Sequence, residues 1–144
     1  MGLATDAKIH GVIIQIRDLV GDRISTADAV LHGHGKDEGW QPVKAPDAVV
    51  FANSTEEIAA VVNICRATGT PIIPYGAGTS IEGQVHAAQG GICVDVGGMN
   101  EILEVNVEDL DCAVQPGVRR KQLNDHLRDT GLFFPIDPGA DASI

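Results

Sequence analysis

Between Pro46 and Pro74 three patterns follow one another in an order that limits the folds open to the chain. "DAVVFA" is a short β-branched and aromatic run with the composition of a strand. Ser54 and Glu57 then stand at capping-box spacing and open "TEEIAAVVNICRATG", in which Ile58, Val61, Val62 and Cys65 mark one buried face and Gly69 occupies the C′ position. "PIIP" follows, too short and too apolar to be an exposed edge strand. Strand, helix, strand is a βαβ unit. The expected fold class is α+β, a small sheet carrying that unit with helices flanking it.

Ahead of the unit, Ile9, Val12, Ile13, Ile16, Leu19 and Val20 recur at helical spacing, an amphipathic packing helix that Gly21 ends. Residues 22–46 carry no clear period and read as a polar, solvated connection. Within them "HGHGKDEGWQPVKAP" alternates His32 and His34 with glycine, but the nearest further histidine is His86, so the spacing supplies no metal site. After the unit come "GICVDV" as a strand, "NEILEVNVEDLDCAVQPG" as two strands about a turn at 108–111, and "RRKQLNDHLRDTG" as a helix that Gly131 ends. The tail "LFFPIDPGADASI" is rich in proline and glycine and holds no regular element. The chain thus divides into an amino-terminal helix and connection, 1–45, and a second part, 46–144.

Ten Lys and Arg against twenty Asp and Glu give a formal net charge of −10, the wrong sign for a nucleic-acid backbone or an anionic membrane surface. No apolar run approaches the ~18 residues of a membrane span. Gln15, Arg17 and Asp18 interrupt the first helix where the apolar core of a signal peptide would continue, and Asp6 stands where a myristoylation pattern requires Ser or Thr. Cys65, Cys93 and Cys112 are odd in number, far apart and set in apolar segments, so they read as reduced core residues of a cytosolic protein.

The stretch that points to a function is "PYGAGTSIEG", residues 74–83, at the carboxyl end of the second strand of the βαβ unit, where open α/β layers bind ligands. It contains three glycines and no basic side chain. Counted from Gly76, a dinucleotide fingerprint fails at its sixth position, Ile81; counted from Gly78, a P-loop fails at Gln84 and Val85, where Lys and Ser or Thr are needed. What remains is a row of backbone N–H groups with the Thr79 and Ser80 hydroxyls, a nest suited to a diphosphate held without a metal or a basic clamp. A glycine-rich crossover that merely turns tightly has the same sequence. "VQPGV", 114–118, is a second glycine turn between a strand and a helix, either a plain Pro-Gly turn or a second set of free N–H groups facing the same ligand. His86, Asp95 and His126 are the side chains nearest to a catalytic base, and their ordinary loop, strand and helix contexts assign them no role. A hydrolase built on Ser80 would need a G-x-S-x-G elbow, which the sequence lacks there.

Taken in order, "PDAVVFANSTEEIAAVVNICRATGTPIIPYGAGTSIEG", "VEDLDCAVQPGV" and "DTGLFFPIDPGADASI" resemble the amino-terminal FAD-binding region of the vanillyl-alcohol oxidase type (PCMH-type) flavoproteins, most closely the FAD-linked D-lactate dehydrogenase and glycolate oxidase branch. The resemblance covers nearly the whole chain and is strongest over 46–144. It implies a PCMH-type FAD-binding domain, with the βαβ sheet as its first subdomain and the start of its second. It implies that Tyr75, Gly76, Ala77, Gly78, Thr79, Ser80 and Gly83, with Gln84 beside them, wrap the FAD pyrophosphate with main-chain amides. By the same resemblance Pro116 and Gly117 line the nucleotide, and Pro138, Gly139, Ser143 and Ile144 run past the flavin. Some relatives tether FAD through a histidine in the first loop; Thr79 holds that position here, so the implied cofactor is non-covalent FAD.

The implied parent protein moves a hydride from the hydroxyl-bearing carbon of a small 2-hydroxy acid, D-lactate or glycolate, to FAD. Electrons would pass on to a cytochrome, quinone or other acceptor, in the cytoplasm or at the periphery of the inner membrane. Members of the family continue past the equivalent of Ile144 with the rest of the flavin domain and a substrate domain, so the sequence reads as a fragment with no catalytic residues of its own. The rival expectation is a non-catalytic nucleotide-binding or interaction module, whose exposed sheet edges invite partners or self-association.

Overall fold

The computed structural model describes residues 3–144. A long helix α1 (Leu3–Val20) leads through a 3-10 turn into β1 (Ile24–Ser25) and α2 (Asp28–His34). Then come β2 (Ala48–Phe51), α3 (Thr55–Thr68), β3 (Ile72–Tyr75) and β4 (Ile92–Asp95), followed by β5 (Ile102–Asn106), β6 (Asp111–Val114) and α4 (Arg120–Leu127). The first four strands form one sheet in the order β1-β2-β4-β3, and β5 pairs with β6 in a separate antiparallel hairpin.

The α+β class is as expected, with the βαβ unit in a split form. β4 enters between β2 and β3 and runs parallel to both, placing Val94 opposite Val50 on one side and Pro74 on the other. β3 is therefore the outer strand, contrary to the expectation that its apolar sequence kept it from an edge. Two features let it sit there. Ile73 turns into the core, and Pro74 has no N–H to offer a further strand.

Residues 22–46 are not the solvated connection expected of them. β1 pairs antiparallel with β2 through Ile24↔Val50 and Ser25↔Val49, and α2 carries His32 and His34 in its last turn. A strand of two residues and a helix of seven are too short to print a hydrophobic period.

α1 and α3 pack on the sheet. Val12, Ile16 and Val20 of α1 meet Val61 and Cys65 of α3 and Val50, Ile92 and Val94 of the strands in the main core. The buried arc of α3 runs along Val61 and Cys65, with Ile58 and Ile64 packed against it, so Val62 lies exposed at its rim rather than inside. Leu19 of α1 is likewise left outside. A smaller core lies between the β5–β6 hairpin and α4, where Val118, Leu123 and Leu127 meet Ile102, Val105, Val114 and Phe134.

Cys65 and Cys93 are buried as expected, and burial pushes both thiols up, Cys93 to about 12 with the nearby Asp95 charge as a further cause. Cys112 departs from the expectation. It is exposed on β6: it stands opposite Val105, on the face that packs on the small core, but lines the open groove beside Leu123 and Leu127 instead of lying beneath α4.

The ends of α3 show how its sequence fixes it. Ser54 Oγ accepts the Glu57 N–H at 3.2 Å, the first half of the capping box. The second half is displaced by one residue, since the Glu57 carboxylate accepts from Asn53 N–H at 2.9 Å and pairs with the Arg23 guanidinium. At the other end Gly69 takes φ +63, and the N–H groups of Gly69 and Thr70 close on the Arg66 and Cys65 carbonyls at 3.2 and 2.9 Å.

Replacing the cap, Ser54→Ala, is expected to lower the unfolding free energy by about 1 kcal/mol, read from a denaturant titration. The Arg23 hydrogen bond, then the Asn53 amide, hold the Glu57 carboxyl below the usual glutamate range. A depressed carboxyl stabilises the folded chain above its ordinary value and loses that contribution as pH falls through its lowered one. The stability gap between the wild type and Glu57→Gln should therefore narrow as pH drops from about 6 to about 3; a gap that stays constant over that range would contradict the assignment.

Candidate functional site

The three parallel strands finish level with one another. Phe51, Asp95 and Tyr75 are register partners across β2, β4 and β3, so the loops that leave these strands open on one edge of the sheet. Residues 76–83 leave from Tyr75. The N–H groups of Gly76, Ala77, Gly78, Thr79 and Ser80 find no hydrogen-bond acceptor among the described residues, and the five residues are half-buried. Gly78 has φ +68, and a Cβ there would run into the Tyr75 hydroxyl, so both its backbone and its lack of a side chain are required. Ser80 Oγ is buried with no partner.

Tyr75 is held in place from behind. Its ring lies 4.4 Å from that of His34 at the end of α2. Burial, then the charge of Asp95, pushes its hydroxyl pKa up. His34 Nδ1 faces the Val30 carbonyl at 2.9 Å and Nε2 faces Asp95 Oδ2 at 2.9 Å. The ring thus bridges α2 and the end of β4 through its two nitrogens. The other Asp95 oxygen accepts the Gly97 N–H at 2.7 Å, which ties α2 to the loop after β4.

That loop receives the second glycine turn. Gly117 N–H donates to the Met99 carbonyl at 2.7 Å, and a Cβ on Gly117 would meet the Gly97 and Met99 carbonyls at 2.8 Å. Val118 and Arg120 donate their N–H groups to the Gln115 and Ala142 carbonyls, each at 3.1 Å, and Lys121 donates to Asp141 Oδ1, also at 3.1 Å. The idea of a second set of free amides therefore fails at these positions. The turn is a packing joint whose donors are already spent.

The tail reaches the first loop. Ile144 N–H bonds the Val118 carbonyl at 3.0 Å, Ser143 pairs with Arg119, and Ser143 Oγ lies 2.9 Å from where a Gly76 Cβ would stand. Gly76, Gly78, Gly117, Ser143 and Ile144 thus come from three separate stretches of sequence into one region. Pro116 is exposed on the turn before Gly117. Pro138 shares a small pocket with Ser143, Ile144 and Arg120, whose Nε is buried without a partner. Gly139 stands in an exposed turn at φ +79. Two expected residues are turned to other work. Gln84 is exposed and its side chain accepts the Glu82 N–H at 3.2 Å, while the Gly83 N–H donates to Asp37 Oδ2 at 2.9 Å.

His34, Asp37 and the bridging use of Asp95 were missed by sequence reasoning. The one available signal was "HGHGKDEGW", in which histidines and an aspartate alternate with glycine inside a stretch with no period of its own. A groove of about 570 Å³ lies elsewhere, against the hairpin between Leu110, Cys112, Leu127 and Phe133. It is the open side of the small core and includes none of these residues.

Chemically, a half-buried row of unpaired N–H groups with glycine at its closest points takes an anion by hydrogen bonds rather than by ion pairing. A diphosphate fits this donor set, since the loop itself supplies no cation and the space at 76 and 78 admits nothing larger than hydrogen.

The chain is 46% identical over 142 residues to the probable mitochondrial D-lactate dehydrogenase of Danio rerio, covering 98% of this chain and 29% of that protein. It is 40% identical over 135 residues to the mitochondrial D-lactate dehydrogenase [cytochrome] of Arabidopsis thaliana, covering 92% of this chain and 24% of that one. It spans under a third of either relative. Among solved structures, an alkyldihydroxyacetonephosphate synthase superposes with a TM-score of 0.82 at 21% identity over 93% of this chain and 27% of that one, a likeness of fold alone. Residues 46–144 match the FAD binding domain family, and the chain belongs to it.

Proposed function

We propose that the chain is the FAD-binding part of an oxidoreductase that oxidises a small 2-hydroxy acid, of the D-lactate or glycolate kind, to the 2-keto acid. The observation that carries the reading is the row of unpaired N–H groups at 76–80 in a chain of the FAD binding domain family. The identity to D-lactate dehydrogenases supports the substrate class.

In this reading Gly76, Ala77, Gly78, Thr79 and Ser80 hold the pyrophosphate with main-chain donors, and Tyr75 keeps the loop open by occupying the space beside Gly78. Gly83 and Gln84 close the loop rather than touch the ligand. Gly117 lets the 96–99 segment approach, Pro116 flanks it on the nucleotide side, and Ser143 and Ile144 bring the tail alongside, with Pro138 and Gly139 further out. Bound FAD supplies the hydride-accepting chemistry; the protein supplies position and electrostatics. No histidine stands at Thr79, so the cofactor is held without a covalent link at that loop.

No residue of this chain is assigned as acid or base. The electron acceptor is of the cytochrome or quinone kind, and the place of work is the cytoplasm or the periphery of an inner membrane. No helix among the described residues is long and apolar enough to cross a membrane.

A titration of the purified chain followed by flavin absorbance and fluorescence tests the reading, with FMN and ADP as comparisons. FAD is expected to bind, and Gly78→Val to weaken it at least about tenfold, roughly 1.4 kcal/mol, by filling the space beside Tyr75. A folded wild-type chain that binds no FAD, or equal binding by the valine variant, would sink the proposal. Because FAD binds the folded state alone, saturating it at about 100 times Kd should add about 2.7 kcal/mol to the unfolding free energy.

A further inference from the structure

Asp37 is the single buried polar or charged residue among the described residues, and its side chain is 1% exposed. No lysine or arginine answers it. Oδ1 accepts the Gly39 N–H and Oδ2 accepts the Gly83 N–H, each at 2.9 Å. The nearest basic atom is His86 Nε2 at 3.7 Å, beyond hydrogen-bond reach, on a side chain 5% exposed and with no partner at that nitrogen. A carboxylate taken out of water is costly, and here the compensation comes from two backbone amides.

Those amides are 44 residues apart in sequence. Gly83 is the last residue of the glycine loop, at φ +80, and the segment around Asp37 holds the loop at a second point, where Glu38 N–H donates to the Ser80 carbonyl at 3.2 Å. The loop is thus pulled against residues 37–39 by its 80 carbonyl and its 83 amide, and the N–H groups of 76–80 are left unspent. We infer that Asp37 is a positioning residue for the glycine loop: by accepting from Gly83 it fixes the loop's far end and keeps the 76–80 amides in the arrangement that takes a diphosphate. The cofactor half of this inference rests on the function proposed above; the tether itself does not.

The sign of the effect separates this role from a purely electrostatic one. Removing a negative charge near an anion site would by itself strengthen binding, whereas loosening the loop weakens it. Asp37→Asn keeps the shape, loses the charge and turns an NH2 group toward one of the two amides. In the chain without cofactor, amide hydrogen exchange is expected to speed up about tenfold at Gly83 and Gly39 and to stay unchanged at Val50 and Val94 in the sheet. In the FAD titration the dissociation constant should rise about tenfold.

Unchanged exchange at Gly83 would overturn the tether. Faster exchange with unchanged or tighter FAD binding would overturn the positioning role. A folded wild-type chain that binds no FAD would overturn the proposed function and the cofactor half with it, while the exchange comparison would still decide the tether. Should Asp37→Asn not fold, Asp37→Glu keeps the charge and both acceptors but overfills the site. Faster Gly83 exchange and weaker FAD binding are then expected, and wild-type behaviour in both would overturn the inference.

Discussion

Asp95 ends the central strand β4, and its carboxylate joins the walls of the site. One oxygen meets His34 at 2.9 Å, the other takes the Gly97 N–H at 2.7 Å, and its main-chain carbonyl accepts the Ala52 N–H at 2.9 Å. Phe51 and Tyr75 stand level with it on the two neighbouring strands. α2, the loop after β4 and the ring that backs the glycine loop therefore share one anchor. The same device recurs at both ends of the segment before β4, where Asp37 accepts from Gly83 and Asp47 accepts from Gly91. A carboxylate bond to an amide is charge-assisted and stronger than a neutral pair. A glycine amide carries no side chain to keep the carboxylate at a distance.

This arrangement gives the acidic composition a structural use. A net charge of −10 opposes the approach of a polyanion at long range, but beyond about 8 Å that repulsion is screened at physiological salt. In the proposed reading a ligand at the loop meets backbone N–H dipoles and the Thr79 and Ser80 hydroxyls, while the nearby carboxylates Asp37 and Asp95 have their oxygens occupied by hydrogen-bonding partners. An anion can thus be held in an acidic chain without a cationic clamp, because the positive ends of peptide dipoles act over the short distances at which the chain's total charge counts least.

Much of this was legible in the sequence wherever local pattern and tertiary role coincide. The strand-helix-strand order, the cap at Ser54, the C′ glycine at Gly69 and the hairpin turn near 108–111 all reflect interactions between residues close in sequence, and the structure has each of them. What stayed hidden depends on partners far along the chain. β1 and α2 are too short to show a period and exist because β2 and Asp95 receive them. The edge position of β3 follows from the insertion of β4, which nothing between 46 and 75 announces. Cys112 looks like a core residue beside its apolar neighbours and shares the core-side face with Val105, yet it is exposed because the groove beside Leu123 and Leu127 is left open there.

The two glycine turns show why the site itself could be read only in part. Gly78 and Gly117 occupy similar sequence contexts, each in a turn leaving a strand, and at each a Cβ would clash. At Gly78 the clash is with a side chain, Tyr75, and the neighbouring amides remain free. At Gly117 it is with the carbonyls of the 96–99 segment, and its amide is consumed by one of them. Glycine in a sequence records that space or a left-handed backbone is needed, but not what fills the space. A cradle and a packing joint therefore share a letter, and they separate only when the acceptor of each N–H is known. In this chain that acceptor is supplied by a loop about twenty residues upstream in one case and by none of the described residues in the other.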